Sequence, residues 1–167
     1  MSFRRAVLLA LAVLAAPLAA RAQPHVGEPV PALQGKDFDG AAFDLSSLKG
    51  KVVVVHLWAV WCPACRAEMG ALDEVAQRHG GGDLAILAVS ADRKHDLPEA
   101  RRLLAAHPFK GVALATASLN GFGQPTALPL TYVVDRKGVV RAVLGGEDHM
   151  LTAGEAEAAI APLLAER

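Results

Sequence analysis

Two cysteines, Cys62 and Cys65, are all that this chain of 167 residues contains. A bridge between them closes a tiny loop and restrains little of the unfolded chain, so the fold is not one held together by disulfides. There is no second cysteine pair and no H-x-x-x-H spacing, which leaves a four-ligand structural zinc site without its remaining ligands. Charge of one sign is also missing: 17 basic residues face 17 acidic ones. Nothing in that balance points to nucleic acid or an anionic membrane as partner. No apolar run reaches the roughly 20 residues of a membrane span. There is no internal repeat, and no low-complexity stretch beyond the N-terminal one.

The longest apolar run, Ala6 to Ala20, follows Arg4 and Arg5 and precedes Ala20-Arg21-Ala22. This is the basic, apolar and small-residue order of a secretory leader, so residues 1–22 are expected to be a signal peptide, or an anchor if retained. Residues 23–167 are then one domain. Cleavage removes Arg4, Arg5 and Arg21 but no acid, leaving 14 basic residues against 17 acidic ones. Cysteines in an exported chain that does not need them as staples are there for chemistry.

The pattern after the leader is mixed. Pro24, Gly27, Pro29 and Pro31 give an extended lead-in. Short strands near Ala32–Gln34 and Ala41–Phe43 flank a turn-rich segment and form an N-terminal hairpin, and Leu45 to Gly50 is a helical turn. Val52 to Trp58 is apolar throughout and reads as a strand buried on both faces. Beyond the cysteines, Met69, Leu72, Val75 and Ala76 recur at helical spacing up to Gly80. Leu84 to Ser90 is a second buried strand, and Leu97 to His107 a second helix. Leu130–Asp135 and Val139–Leu144 flank Gly138 as a hairpin, and Thr152 to Ala165 is the closing helix. The expected fold is α/β, a mixed sheet covered by helices on both faces, with the N-terminal hairpin as an extension.

Within this frame Cys62 falls at the N-cap of a helix, where unpaired N–H groups and the helix dipole favour a thiolate, the form that attacks disulfides. Pro63 suits the first helical position, which needs no N–H. Cys62 is then the exposed attacking sulfur, and Cys65, one turn on, the resolving one.

The segment Leu57-Trp58-Ala59-Val60-Trp61-Cys62-Pro63-Ala64-Cys65-Arg66-Ala67-Glu68-Met69 resembles the active-site segment of the TlpA/ResA group of thioredoxin-fold proteins. The resemblance runs from Gly27-Glu28-Pro29-Val30-Pro31 to Val133-Val134-Asp135-Arg136-Lys137-Gly138. It implies a thioredoxin-like fold and an exported thiol–disulfide oxidoreductase without cofactor or metal. Its partners would be protein thiols and disulfides in the periplasm and a membrane electron donor, with roles in cytochrome c maturation or copper-site assembly. The chain would act as a monomer. The resemblance also assigns Pro129 as a cis-proline facing the dithiol, in preference to Pro125, and leaves the backbone of Leu128 to pair with an extended substrate. Trp61 and Trp58 would shape the apolar surface around the sulfurs, although Trp58 also suits the core.

The chain departs from that group at three positions. His56 stands where the group often has asparagine and thioredoxins an acid; it is either a proton relay to Cys65 or a core histidine. Ala64 replaces a proline, so the redox poise does not carry over. Gly70 replaces a kink-forming proline. Glu68 could tune the site, but an exposed acid of the first helix is the expectation. Arg101-Arg102 and Lys94-His95-Asp96 read as solvated surface, and Gly121-Phe122-Gly123 is too short for a phosphate loop. Two rival functions remain: a Cu(I) carrier using both thiolates with Met69 a marginal third ligand, and a general disulfide oxidant or isomerase.

Overall fold

The structure, a computed structural model, describes residues 23–79, 82–146 and 149–166. The leader assigned to residues 1–22 and the expected helix stop at Gly80 lie outside them. Among the described residues eight strands and three α-helices form: β1 Leu33–Lys36, β2 Ala42–Asp44, β3 Val52–Trp58, α1 Pro63–Arg78, β4 Leu84–Ser90, α2 Leu97–Leu104, β5 Lys110–Ala113, β6 Leu119–Asn120, β7 Leu130–Val134, β8 Val140–Leu144 and α3 Ala153–Ala165. Among the described residues no helix is long and apolar enough to cross a membrane.

The main sheet has the order β5-β4-β3-β7-β8. β3 pairs in parallel with β4, which pairs in parallel with β5, while β7 and β8 complete the other side antiparallel. All seven residues of β3 are buried, as its run of β-branched valines suits a central strand covered on both faces. Its alternation divides the core. Val53, Val55 and Leu57 face one layer, whereas Val52, Val54 and Trp58 face the other.

Among the described residues the α-helices cover one face only. The crossovers β3-α1-β4 and β4-α2-β5 advance in the same direction, and right-handed crossovers of that kind put both helices on the same side. There Met69, Leu72 and Val75 of α1, Ala100 and Leu104 of α2, and Ile160 and Leu163 of α3 are buried. The opposite face is closed by Leu33, Phe43 and Leu45 of the N-terminal hairpin region together with Leu114 and Phe122. The cover expected on both faces is thus present, with a small sheet, order β2-β1-β6, and single helical turns taking the place of α-helices on the second.

The N-terminal segment also closes both edges of the main sheet. Gly27 N–H donates to Val140 O (2.8 Å) and Val140 N–H to Glu28 O (2.9 Å) on β8; Phe38 N–H donates to Gly111 O (2.9 Å) on β5. Unpaired edges invite association with other strands, and this strap removes that invitation.

Two expectations need correction. β5 was not expected: Lys110–Ala113 is only four residues long, and its glycine breaks the apolar run. The second helix ends at Leu104 rather than His107, because the chain must turn early to enter β5. Elsewhere local side-chain caps close the elements. Thr152 and Glu155 form a reciprocal capping box on α3, and Asp135 Oδ1 accepts the N–H groups of Lys137 and Val139 across the Gly138 turn.

Candidate active site

The cysteines sit where β3 hands over to α1. Cys62 is the N-cap, with extended backbone at φ −101° and ψ 98°, and Pro63 begins the helix. The sulfurs are bonded, with Cα atoms 5.3 Å apart. The Cys65 N–H points at Cys62 Sγ, 3.2 Å away, so the sulfur occupies the place of a capping oxygen and receives a donor that would stabilise its thiolate. Cys62, expected to be exposed, is instead buried at 6% exposure because it packs with Trp58 and Cys65, Cys65 is fully buried, and Trp61 beside them is 66% exposed. Trp58, by contrast, is core, packed in one cluster with both cysteines.

The Leu128–Pro129 bond is cis, and Pro125 is not. Leu128 is half-buried and packs against the cluster that contains Cys62 and Cys65. The loop ahead of β7 therefore lies against the disulfide.

Beneath Cys65 lies a closed polar group. His56 is fully buried; its Nε2 is 3.3 Å from the Cys65 carbonyl and its Nδ1 2.9 Å from Thr131 Oγ1. A carbonyl can only accept, so Nε2 carries the proton and Nδ1 accepts from the threonine hydroxyl. Burial pushes the histidine down to about 4, which keeps the ring neutral.

Glu68 contradicts its expected exposure. It is fully buried, its Oε1 accepting the Leu151 N–H at 2.7 Å, while its Oε2, 3.8 Å from His56 Nδ1, has no hydrogen-bond partner among the described residues. Burial raises its carboxyl above the ordinary range, partly offset by the Leu151 N–H. The helical spacing placed it one position from Met69, at the margin of the apolar stripe. What covers it is the segment after β8, which only the tertiary structure reveals.

Asp92 is a member of the site that the sequence reading missed. At 2% exposure it accepts the Val60 N–H on both oxygens (3.0 and 3.1 Å) and the Ser90 hydroxyl (2.9 Å), fixing the turn that carries Trp61 and Cys62. Its position just past a buried strand was the available signal. Lys94-His95-Asp96 forms a helical turn beside the same site, and two shallow clefts meet at Trp61, Ala91 and Gln124.

Residues 26–143 match the model of the AhpC/TSA family. The chain belongs to that family. It is 29% identical over 120 residues to the thioredoxin-like protein YneN of Bacillus subtilis, covering 70% of this chain and 69% of YneN. Over 126 residues it is 31% identical to the thiol:disulfide interchange protein DsbE of Yersinia pestis, covering 70% of this chain but only 62% of DsbE. A crystal structure of a thioredoxin-family thiol:disulfide interchange protein from Chlorobium tepidum superposes with a TM-score of 0.66 at 21% identity, covering 86% of this chain and 99% of that one, a likeness of fold. With a redox-competent cysteine pair in that setting, this AhpC/TSA protein is a thiol–disulfide oxidoreductase of the DsbE/ResA type.

Proposed function

We propose that this oxidoreductase works outside the cytoplasm after removal or retention of residues 1–22, with residues 23–167 as its single working domain. It reduces particular disulfides of exported proteins, serving cytochrome c maturation or copper-site assembly, and a membrane thiol–disulfide donor restores its dithiol. It acts as a monomer. The observation that carries the reading is the asymmetry of the pair: one sulfur at a helix N-cap near the surface, the other fully buried over a neutral histidine.

In the reduced protein the Cys62 thiolate attacks a substrate disulfide, forming a mixed disulfide and releasing one substrate thiol. Cys65 then loses its proton and attacks Cys62 Sγ, forming the internal disulfide and releasing the second thiol, so that two electrons pass to the substrate. The proton of a buried thiol needs a protein acceptor, and His56 with Glu68 is the adjacent titratable pair. Pro63 shapes the first turn, and Trp61 and Leu128 hold the substrate chain, with Pro129 setting the loop that presents the Leu128 backbone.

The experiment is covalent trapping in the native envelope. Cys65→Ser is expected to accumulate partners disulfide-linked to Cys62, and Cys62→Ser to accumulate none. Equal trapping by both variants would overturn the assigned roles, and the identity of the trapped proteins separates cytochrome maturation, copper assembly and general folding.

A further inference from the structure

The two clefts beside the disulfide share Trp61, Ala91 and Gln124 and so make one shallow groove. One end is apolar, lined by Pro125, Ala127 and Leu128. The other end is bounded by Arg93, His95 and Asp96. The polarity of a substrate segment lying along the groove is therefore prescribed at both ends.

At the charged end the cations are the free partners. Arg93 and Lys94 are exposed and make no ion pair among the described residues, and the same holds for Arg66 on α1. Of the neighbouring acids, Glu99 accepts two hydrogen bonds from Arg102, and Asp96, 3.1 Å from His95 Nε2, is the one carboxylate at this end of the groove, set against Arg93 and Lys94. Asp92 is buried and turned inward to Val60 and Ser90. This local excess of positive charge stands on a chain whose residues 23–167 carry more acids than bases.

Resting on the oxidoreductase reading above, we propose that the Arg93 end of the groove, with exposed Lys94 next to it in the chain, is a subsite for an acidic side chain flanking the reactive cysteine of a protein substrate, with an apolar residue on the cysteine's other side facing Leu128. Charge at the rim of a binding surface acts chiefly on the rate of encounter and on the choice of partner. The attack itself remains that of Cys62 on the substrate disulfide, with one peptide thiol released as the mixed disulfide forms and the second when Cys65 closes the internal bond.

The test mixes the fully reduced protein with disulfide-linked dimers of a short peptide whose central cysteine is flanked on one side by glutamates, glutamines or lysines. Hydroxyethyl disulfide, which is uncharged, serves as the reference substrate. The acidic peptide is expected to react roughly five-fold faster than the neutral one at low salt, and the advantage should fade as the screening length falls below about 8 Å. In the double variant Arg93→Glu, Lys94→Glu the acidic-to-neutral ratio should fall below one and the lysine peptide should gain. Equal rates for the three peptides, a preference insensitive to salt, or an unchanged ratio in the double variant overturns the subsite while turnover of hydroxyethyl disulfide leaves the oxidoreductase standing. Failure to reduce hydroxyethyl disulfide and every peptide sinks both.

Discussion

His56 Nδ1 and Glu68 Oε2 lie 3.8 Å apart, both side chains fully buried, directly below the turn that joins the two cysteines. Burial works on them in opposite senses, pushing the histidine down to about 4 and the glutamate upward, so each favours its neutral form. When Glu68 is ionised, a proton taken from the buried Cys65 thiol neutralises it, so the burial that raises its affinity for a proton also favours that uptake.

The same shifts make stability depend on pH. The unfolded histidine, with a pKa near 6.5, takes up a proton that the folded one refuses until about pH 4, so stability is present above pH 6.5 and is lost as pH falls through that window. The full loss is about 3 kcal/mol at 1.36 kcal/mol per unit. Glu68 has the opposite sign: its raised folded pKa stabilises most below the unfolded value of 4.5, and that contribution is lost as pH rises through the folded value. Urea titrations from pH 4 to 7 should show the acid-side loss shrink in His56→Asn; an undiminished slope would mean that another group carries it.

The resolving step should carry the pair's signature. In His56→Asn and in Glu68→Gln, the rate at which a preformed Cys62 mixed disulfide is released should fall roughly ten-fold or more, a small part of the usual worth of positioned acid–base groups, with a displaced pH profile. Attack by Cys62 on hydroxyethyl disulfide should change far less. If both steps slow alike with unmoved profiles, His56 and Glu68 are core residues only.

How far the site could be read from the sequence depended on whether its parts were local. The N-cap position of Cys62, Pro63 at the start of α1 and the Val52–Trp58 strand follow from neighbours in the chain. The position of Pro129 came through family resemblance, since composition says nothing about cis bonds. Glu68, Thr131 and Asp92 were misplaced or missed because their partners lie 83, 75 and 32 residues away. An acid beside an apolar stripe looks solvated until a distant loop covers it.

Asp92 gives a test of the turn itself. Asp92→Ala leaves the Val60 N–H and the Ser90 hydroxyl without their acceptor in a buried setting, which should cost about 1–3 kcal/mol for each group left unsatisfied. Asp92→Asn keeps one acceptor oxygen and should lose less. Because Val60 precedes Trp61 and Cys62, the Ala variant should also raise the pKa of the Cys62 thiol as the N-cap geometry loosens, measured by pH-dependent alkylation of the reduced protein. A destabilised variant with unshifted alkylation would limit Asp92 to a scaffolding role.

Gly70 and Gly121 should respond in opposite directions to the same substitution. A Cβ at Gly70, exposed within α1, meets nothing within 4 Å, and alanine is the better helix former. Gly70→Ala should therefore stabilise by about 0.5–1 kcal/mol and leave turnover unchanged. At Gly121 a Cβ would stand 2.8 Å from Ala32 O and 2.9 Å from Ala32 N, main-chain atoms held in place by the Gly121 N–H···O=C Ala32 bond of 2.7 Å. Backbone cannot yield as a side-chain tip can, so Gly121→Ala should cost about 1–3 kcal/mol and loosen the contact between β1 and β6. Hydrogen exchange at the Ser118 N–H, which donates to Gln34 O across that contact at 2.9 Å, would report the loosening. Gly121 is there because two backbones pass too close for a side chain.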